Sequence, residues 1–166
     1  KAPLLIKVLE EKLRMLIPNF CPAPNAIVIV RDGRSFSEET KALKTVIANL
    51  AGDGIVDAIT LKWGVIDLHK QTATPLRIAS HTNGHSPLEN PVAGAFKPIS
   101  SKEGFLYNTG FPFQIRGSAK PLHLTQVAGT VEFLKVAEDI FGQSVLAFSA
   151  PDRSNSLPIT IKLIDT

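Results

Sequence analysis

Apolar positions at the start of the chain recur at spacings of three and four: Leu4, Leu5, Val8, Leu9, Leu13, Leu16 and Ile17, with Lys7, Glu10, Glu11, Lys12 and Arg14 between them. That period predicts an amphipathic helix over 3–17. Pro18, Pro22 and Pro24 forbid its continuation. The run Ala26-Ile27-Val28-Ile29-Val30 that follows is short, apolar and branched, the pattern of a strand buried on both faces, and so is expected at the centre of a sheet. Arg31-Asp32-Gly33-Arg34 ends it. A second helix follows, with Ser35 or Ser37 as its cap, Glu38 and Glu39 in its first turn, and Leu43, Val46, Ile47 and Leu50 on its core face.

Gly52-Asp53-Gly54 stops this helix. Residues 58–70 and 75–80 then read as two strands joined near Gln71-Thr72-Ala73-Thr74, most economically as a hairpin. A loop rich in Asn, Gly, Ser and Pro spans 81–91, and further strands are expected at 94–99, 104–108 and 122–127. Val131, Leu134, Val136, Ala137 and Ile140 mark a third helix, expected to end at Gly142. After a polar stretch at 151–156, Pro158 suits the first turn of a closing helix. Alternating helices and strands without internal repeat make an α/β chain with a mixed sheet, read as a single domain over 1–166.

With 44% of its 166 residues hydrophobic and 20% charged, the chain has the makeup of one globular domain with an apolar core. No apolar stretch approaches the length of a membrane span, which excludes a transmembrane helix and a membrane partner of that kind. The single Cys21 makes neither an intrachain disulfide nor a metal knuckle, and the expected compartment is a reducing, cytoplasmic one. A start at Lys1, directly in a helical pattern, reads as a piece of a longer chain. Charge is uneven: residues 60–123 carry seven Lys or Arg against three acids, and 124–166 carry three against five. The middle third could thus face phosphates, although a solvated sheet rim accounts for the same charge.

Asp32 is the most informative position, standing at the carboxyl end of a strand where open α/β sheets place their sites. Two roles are open to it there, metal ligand and cap of the next helix. His81 and His85 have a ligand-like spacing but no further Cys or His nearby, which argues against zinc. His123, beside Pro121, reads as a satisfied structural group, and the nine Phe and Trp63 as core before stacking platforms. No phosphate-binding loop, serine elbow or Cys-His pairing supports an NTPase, a serine hydrolase or a thiol enzyme.

Val28-Ile29-Val30-Arg31-Asp32-Gly33, after a helix and a Pro-rich link, resembles the Arg-Asp-Gly strand of Argonaute and Piwi proteins. Asn90-Pro91-Val92-Ala93-Gly94-Ala95 is similar to the family's Asn-Pro-x-x-Gly-Thr turn, with Ala95 in place of Thr, and Gly104-Phe105-Leu106-Tyr107 to the strand after it. Arg116-Gly117-Ser118-Ala119-Lys120-Pro121-Leu122-His123 resembles the Gly-Thr-x-Arg-Pro-x-His stretch, with Ser for Thr and Lys for Arg; Ser156-Leu157-Pro158 and Asp165 resemble the closing helix and its catalytic position. These landmarks occur in the family's order across nearly the whole chain.

The resemblance implies the carboxyl-terminal part of a prokaryotic Argonaute PIWI domain, a ribonuclease H-like fold that is incomplete in this chain. It implies guide-directed cleavage of a complementary target strand with two divalent ions, magnesium or manganese, for which Asp32 and Asp165 would be catalytic metal ligands. The family's other Asp and its Glu have no match here, so the chain alone is expected to be inactive. Lys70, Arg77 and Lys120 are the expected contacts to nucleic-acid backbones. Partners so implied are the guide, the target and the remaining Argonaute domains. A guide-binding module without cleavage, recruiting a separate effector, is the alternative within the family; a ribonuclease H-like scaffold making protein contacts, with Asp32 as a cap, is the alternative outside it.

Overall fold

The computed structural model describes residues 2–70, 77–79, 88–112, 118–146 and 157–158. Its elements run α1 (Ala2–Leu16), extended by a short 3-10 turn (Ile17–Asn19), β1 (Ala26–Asp32), α2 (Ser37–Gly52), β2 (Lys62–His69), β3 (Phe96–Ser100), β4 (Glu103–Leu106), β5 (Leu122–Gly129) and α3 (Phe133–Leu146). The strands form one mixed sheet in the order β1-β2-β5-β4-β3. β1 runs parallel to β2, and every other pairing is antiparallel.

Side-chain alternation divides the sheet into two faces. Ile66, Leu68, Leu122, Leu124 and Leu106 on one face pack with Val131, Phe133, Val136 and Ile140 of and before α3, and half-buried Val28 and Val30 join them. On the other side Val46, Leu50, Val56 and Leu61 form a second cluster with Leu9 and Leu13 of α1 and Ile27 of β1. A smaller third cluster joins Phe105, Tyr107 and Ala119 with Ile78 and Ala95. Of the apolar positions of α1, Leu9 and Leu13 pack into the cluster with α2, whereas Leu4, Val8 and Leu16 stay exposed. A polar bracket fastens the two helices: Asn49 donates to Glu10 Oε2 at 2.8 Å, and Arg14 pairs with both Glu10 and Asp53. The hydrogen bonds from Asn49 and Arg14 hold the Glu10 carboxyl below its ordinary pKa.

Four expectations are corrected. β1 lies at an edge of the described sheet rather than at its centre, and its apolar residues 27–30 are only half-buried, because β2 covers one of its edges and no described strand covers the other. The hairpin from 58–70 to 75–80 does not form among the described residues: β1 and β5 already occupy both edges of β2, and residues 77–79 are not in a strand. Neither serine caps α2. Phe36 stands at the cap position and donates its N–H to Glu39 Oε2 at 2.9 Å, while the Ser35 N–H is given to Asp67. α3 continues through Gly142 to Leu146, since nothing crowds that exposed position and the helix cost of a single glycine is about 1 kcal/mol. The joining residues 71–74 and most of the closing segment lie outside the described residues, and of the latter Leu157 forms a bend.

Candidate functional site

Asp32 closes β1, opposite Leu68 in the register, so its side chain emerges on the α3 face at the carboxyl end of the strand. It is 40% exposed, and its Oδ2 accepts an ion pair from Lys70 Nζ at 2.6 Å. The backbone turns sharply beyond it. Gly33 takes φ +88°, a left-handed conformation in which a side chain is strained, and its N–H donates to Leu68 O at 2.8 Å. The ladder between β1 and β2 is thereby carried one residue past Asp32 and holds the base of that side chain.

Neighbouring Arg31 takes the opposite face. Its Nη1 meets Glu39 at 2.8 Å, its Nε donates to Arg34 O at 3.1 Å, and its guanidinium lies over the Phe36 ring. Arg31 therefore clamps the start of α2, and only Asp32 of the Arg-Asp-Gly element is presented for chemistry. Beneath the clamp lies Asp67, an acid within the apolar run of β2 and only 5% exposed. Its Oδ2 accepts the Ser35 N–H at 3.0 Å, and its Oδ1 is buried with no hydrogen-bond partner among the described residues. Sequence reasoning passed over Asp67, although an Asp flanked by Ile66 and Leu68 was a visible signal.

Lys70, Arg77 and Lys120 fall into two groups. Lys70 follows β2 directly and meets Asp32. Arg77 and Lys120 are both exposed and are brought to the same small cluster by their neighbours: Ile78 donates its N–H to Tyr107 Oη at 3.0 Å, and Ala119 gives its N–H to Asn90 Oδ1 at 2.8 Å. The Asn90-to-Ala95 turn is the hub of that cluster. Gly94, at φ +90°, donates to Tyr107 O at 2.7 Å, and Ala95 closes on Val92 O at 2.9 Å. Both groups belong to the end of the sheet where β2 finishes and β5 begins, since His69 pairs with His123.

His123 is engaged structurally, as its sequence context suggested: it stacks on Phe105 at 4.7 Å, faces His69 at 5.9 Å and pairs with Glu103 Oε1 at 2.8 Å. It lies on the sheet face opposite Asp32. Asp165, His81 and His85 lie outside the described residues. Among the described residues no three His, Cys, Asp or Glu side chains gather into a metal-holding group. Asp32 meets a lysine there, so the described residues do not by themselves fit a divalent ion.

The chain is thus a mixed five-stranded sheet flanked by helices, with an exposed carboxylate at the end of its first strand. Among the solved structures with which it superposes are Argonautes. Over 96% of this chain it matches Clostridium butyricum Argonaute bound to a guide DNA and a target DNA, with a TM-score of 0.66 and 23% identity. Over 99% it matches Marinitoga piezophila Argonaute in complex with a guide RNA, with a TM-score of 0.67 and 16% identity. Aquifex aeolicus Argonaute gives a TM-score of 0.64 at 19% identity over 95% of the chain. The match spans only 20–23% of the length of these proteins, so the fold is that of about a fifth of an Argonaute. No family model and no curated protein matches the chain. No described helix is long and apolar enough to cross a membrane.

Proposed function

We propose that this chain is the carboxyl-terminal part of a PIWI domain in an Argonaute-like protein that binds a guide strand and its complementary target. The observation that carries the reading is the placement of Asp32, exposed at the carboxyl end of β1 on a glycine turn, in a fold shared with guide-bound Argonautes. Arg77 and Lys120 are the proposed backbone contacts, together with Lys70 once a phosphate competes with Asp32 for it. In the finer form of the proposal the whole protein cleaves the target with magnesium or manganese, and Asp32 and Asp165 contribute to a site completed by residues outside this chain. Two carboxylates of a four-residue site leave much of the ions' charge and coordination unmet, so the chain alone would not cleave.

The ion pair between Asp32 and Lys70 favours a second reading, guide binding without cleavage, in which Lys70 supplies the positive charge that Asp32 needs. Cleavage of a guide-paired target by the full-length protein with Mn²⁺ or Mg²⁺ separates the two. If the protein cuts and its Asp32→Ala variant does not, Asp32 serves the metal. If neither cuts while both hold the guide, the protein is a binding module and Asp32 is a structural partner of Lys70.

A further inference from the structure

Asp32 and Lys70 reach each other from neighbouring strands. Asp32 ends β1 and Lys70 follows β2; the register sets Asp32 beside Leu68, and the Gly33 N–H bond to Leu68 O holds the two strands together there. Arg31, the cation next to Asp32 in sequence, is engaged with Glu39 on the other face. The Asp32 carboxylate is therefore met by Lys70, at 2.6 Å, with the lysine side chain 31% and the aspartate 40% exposed.

A pair so exposed is weak enough to exchange, being worth a factor of about five at most in an equilibrium constant. Its partners differ in freedom. Asp32 is short and fixed on the glycine turn, whereas the ammonium of Lys70 ends a flexible four-carbon stem, so the lysine is the partner that moves. A strand phosphate arriving at this end of the sheet competes with the carboxylate for that ammonium. The charges of the pair cancel beforehand: when a phosphate takes Lys70 a counterion leaves the strand, but the carboxylate left behind gathers a cation, and the exchange releases almost no salt.

We propose that the Asp32–Lys70 pair locks this site in the empty protein: Asp32 withholds Lys70 from phosphate, and a target strand must displace the carboxylate to gain the lysine. This rests on the guide- and target-binding reading above and describes the regulation of the same site. The ammonium also stands where a divalent ion would have to approach Asp32, which accounts for the poor fit of the described residues to such an ion.

The test is a double-mutant cycle on the full-length protein, loaded with guide and kept in EDTA. Fluorescence anisotropy follows a labelled complementary target, short enough to dissociate, over a range of salt concentrations. Asp32→Asn is expected to tighten target binding about two- to fivefold. It should also steepen the slope of log affinity against log salt by about 0.7–0.9, as one newly neutralised phosphate does. Lys70→Ala should change that slope little. In the Lys70→Ala background, Asp32→Asn should give a smaller gain and no change of slope. An equal gain in both backgrounds would mean plain repulsion of the strand by Asp32 and would overturn the proposal, as would weaker binding by Asp32→Asn, the mark of a structural partner. Urea midpoints of the variants close to that of the parent keep a folding defect apart from either result. A protein that does not hold the guide ends the guide-binding reading and this inference with it, whereas a guide-loaded protein with an additive cycle ends this inference alone.

Discussion

Asp32 owes its presentation to the residues on either side of it. Arg31 is drawn to Glu39 on the far face, Gly33 supplies the left-handed turn, and Asp67 holds the loop beyond through the Ser35 N–H. Of these, Asp67 is the most sensitive to substitution, because a buried carboxylate accepting a backbone N–H leaves that donor unpaired when removed. Asp67→Ala is expected to cost about 1–3 kcal/mol of stability, read from the midpoint of urea denaturation with an unchanged slope. A loss within a few tenths of a kcal/mol would show that the loop after β1 is held by Arg31 alone. The motif residues were legible in the sequence as a pattern of Arg, Asp and Gly. Their division between two faces follows from strand alternation and could be read only once β1 had a neighbour in register.

Among the elements, α1 and α2 are joined by apolar packing and by the bracket of Glu10, Asn49, Arg14 and Asp53. Because the folded Glu10 carboxyl titrates below its ordinary value, its contribution is complete above the ordinary carboxylate range and is lost as pH falls through the lowered value. Acidification should therefore loosen α1 before the sheet opens. Hydrogen exchange of the α1 amides, corrected for intrinsic rates, should show this, and Glu10→Gln should remove that acid-dependent step. A different prediction concerns β1, an apolar strand with one open edge in the described sheet. Such an edge is a template for pairing. The chain alone is expected to self-associate with rising concentration in light scattering, and Ile29→Lys to suppress this; a monomer at every concentration would show the edge to be covered within the chain. Helix periods and apolar runs announced these elements in the sequence. Strand neighbours were not announced, because an edge strand and a central strand can share one apolar composition.

For the whole molecule, the proposed contacts to nucleic acid are phosphate contacts, and their signature is ionic. Arg77→Ala and Lys120→Ala should each weaken guide-strand binding uniformly across sequences and lower the slope of log affinity against log salt by about one. Fluorescence anisotropy over a range of salt concentrations measures both. An unchanged slope would remove that residue from the interface. Lys70→Ala tests a different balance, since its charge is already shared with Asp32.

What the sequence determined by itself was most of the helices and strands and the order of the landmarks. α1, β1, α2, β5 and α3 follow from local period, proline and glycine, and the Arg-Asp-Gly, Asn-Pro and Lys-Pro elements follow from their residues and order. These are local properties, and local rules read them. The tertiary structure alone decided that β2 pairs with β1 and β5 and not in a hairpin with the segment after it, that Lys70 meets Asp32, that Asn90 reaches Ala119, and that Asp67 is buried beneath the start of α2. Each of these joins residues far apart in the chain, where the choice of partner is set by competition for sheet edges and by the cost of leaving buried polar groups unpaired. Neither force leaves a periodic mark in a single sequence.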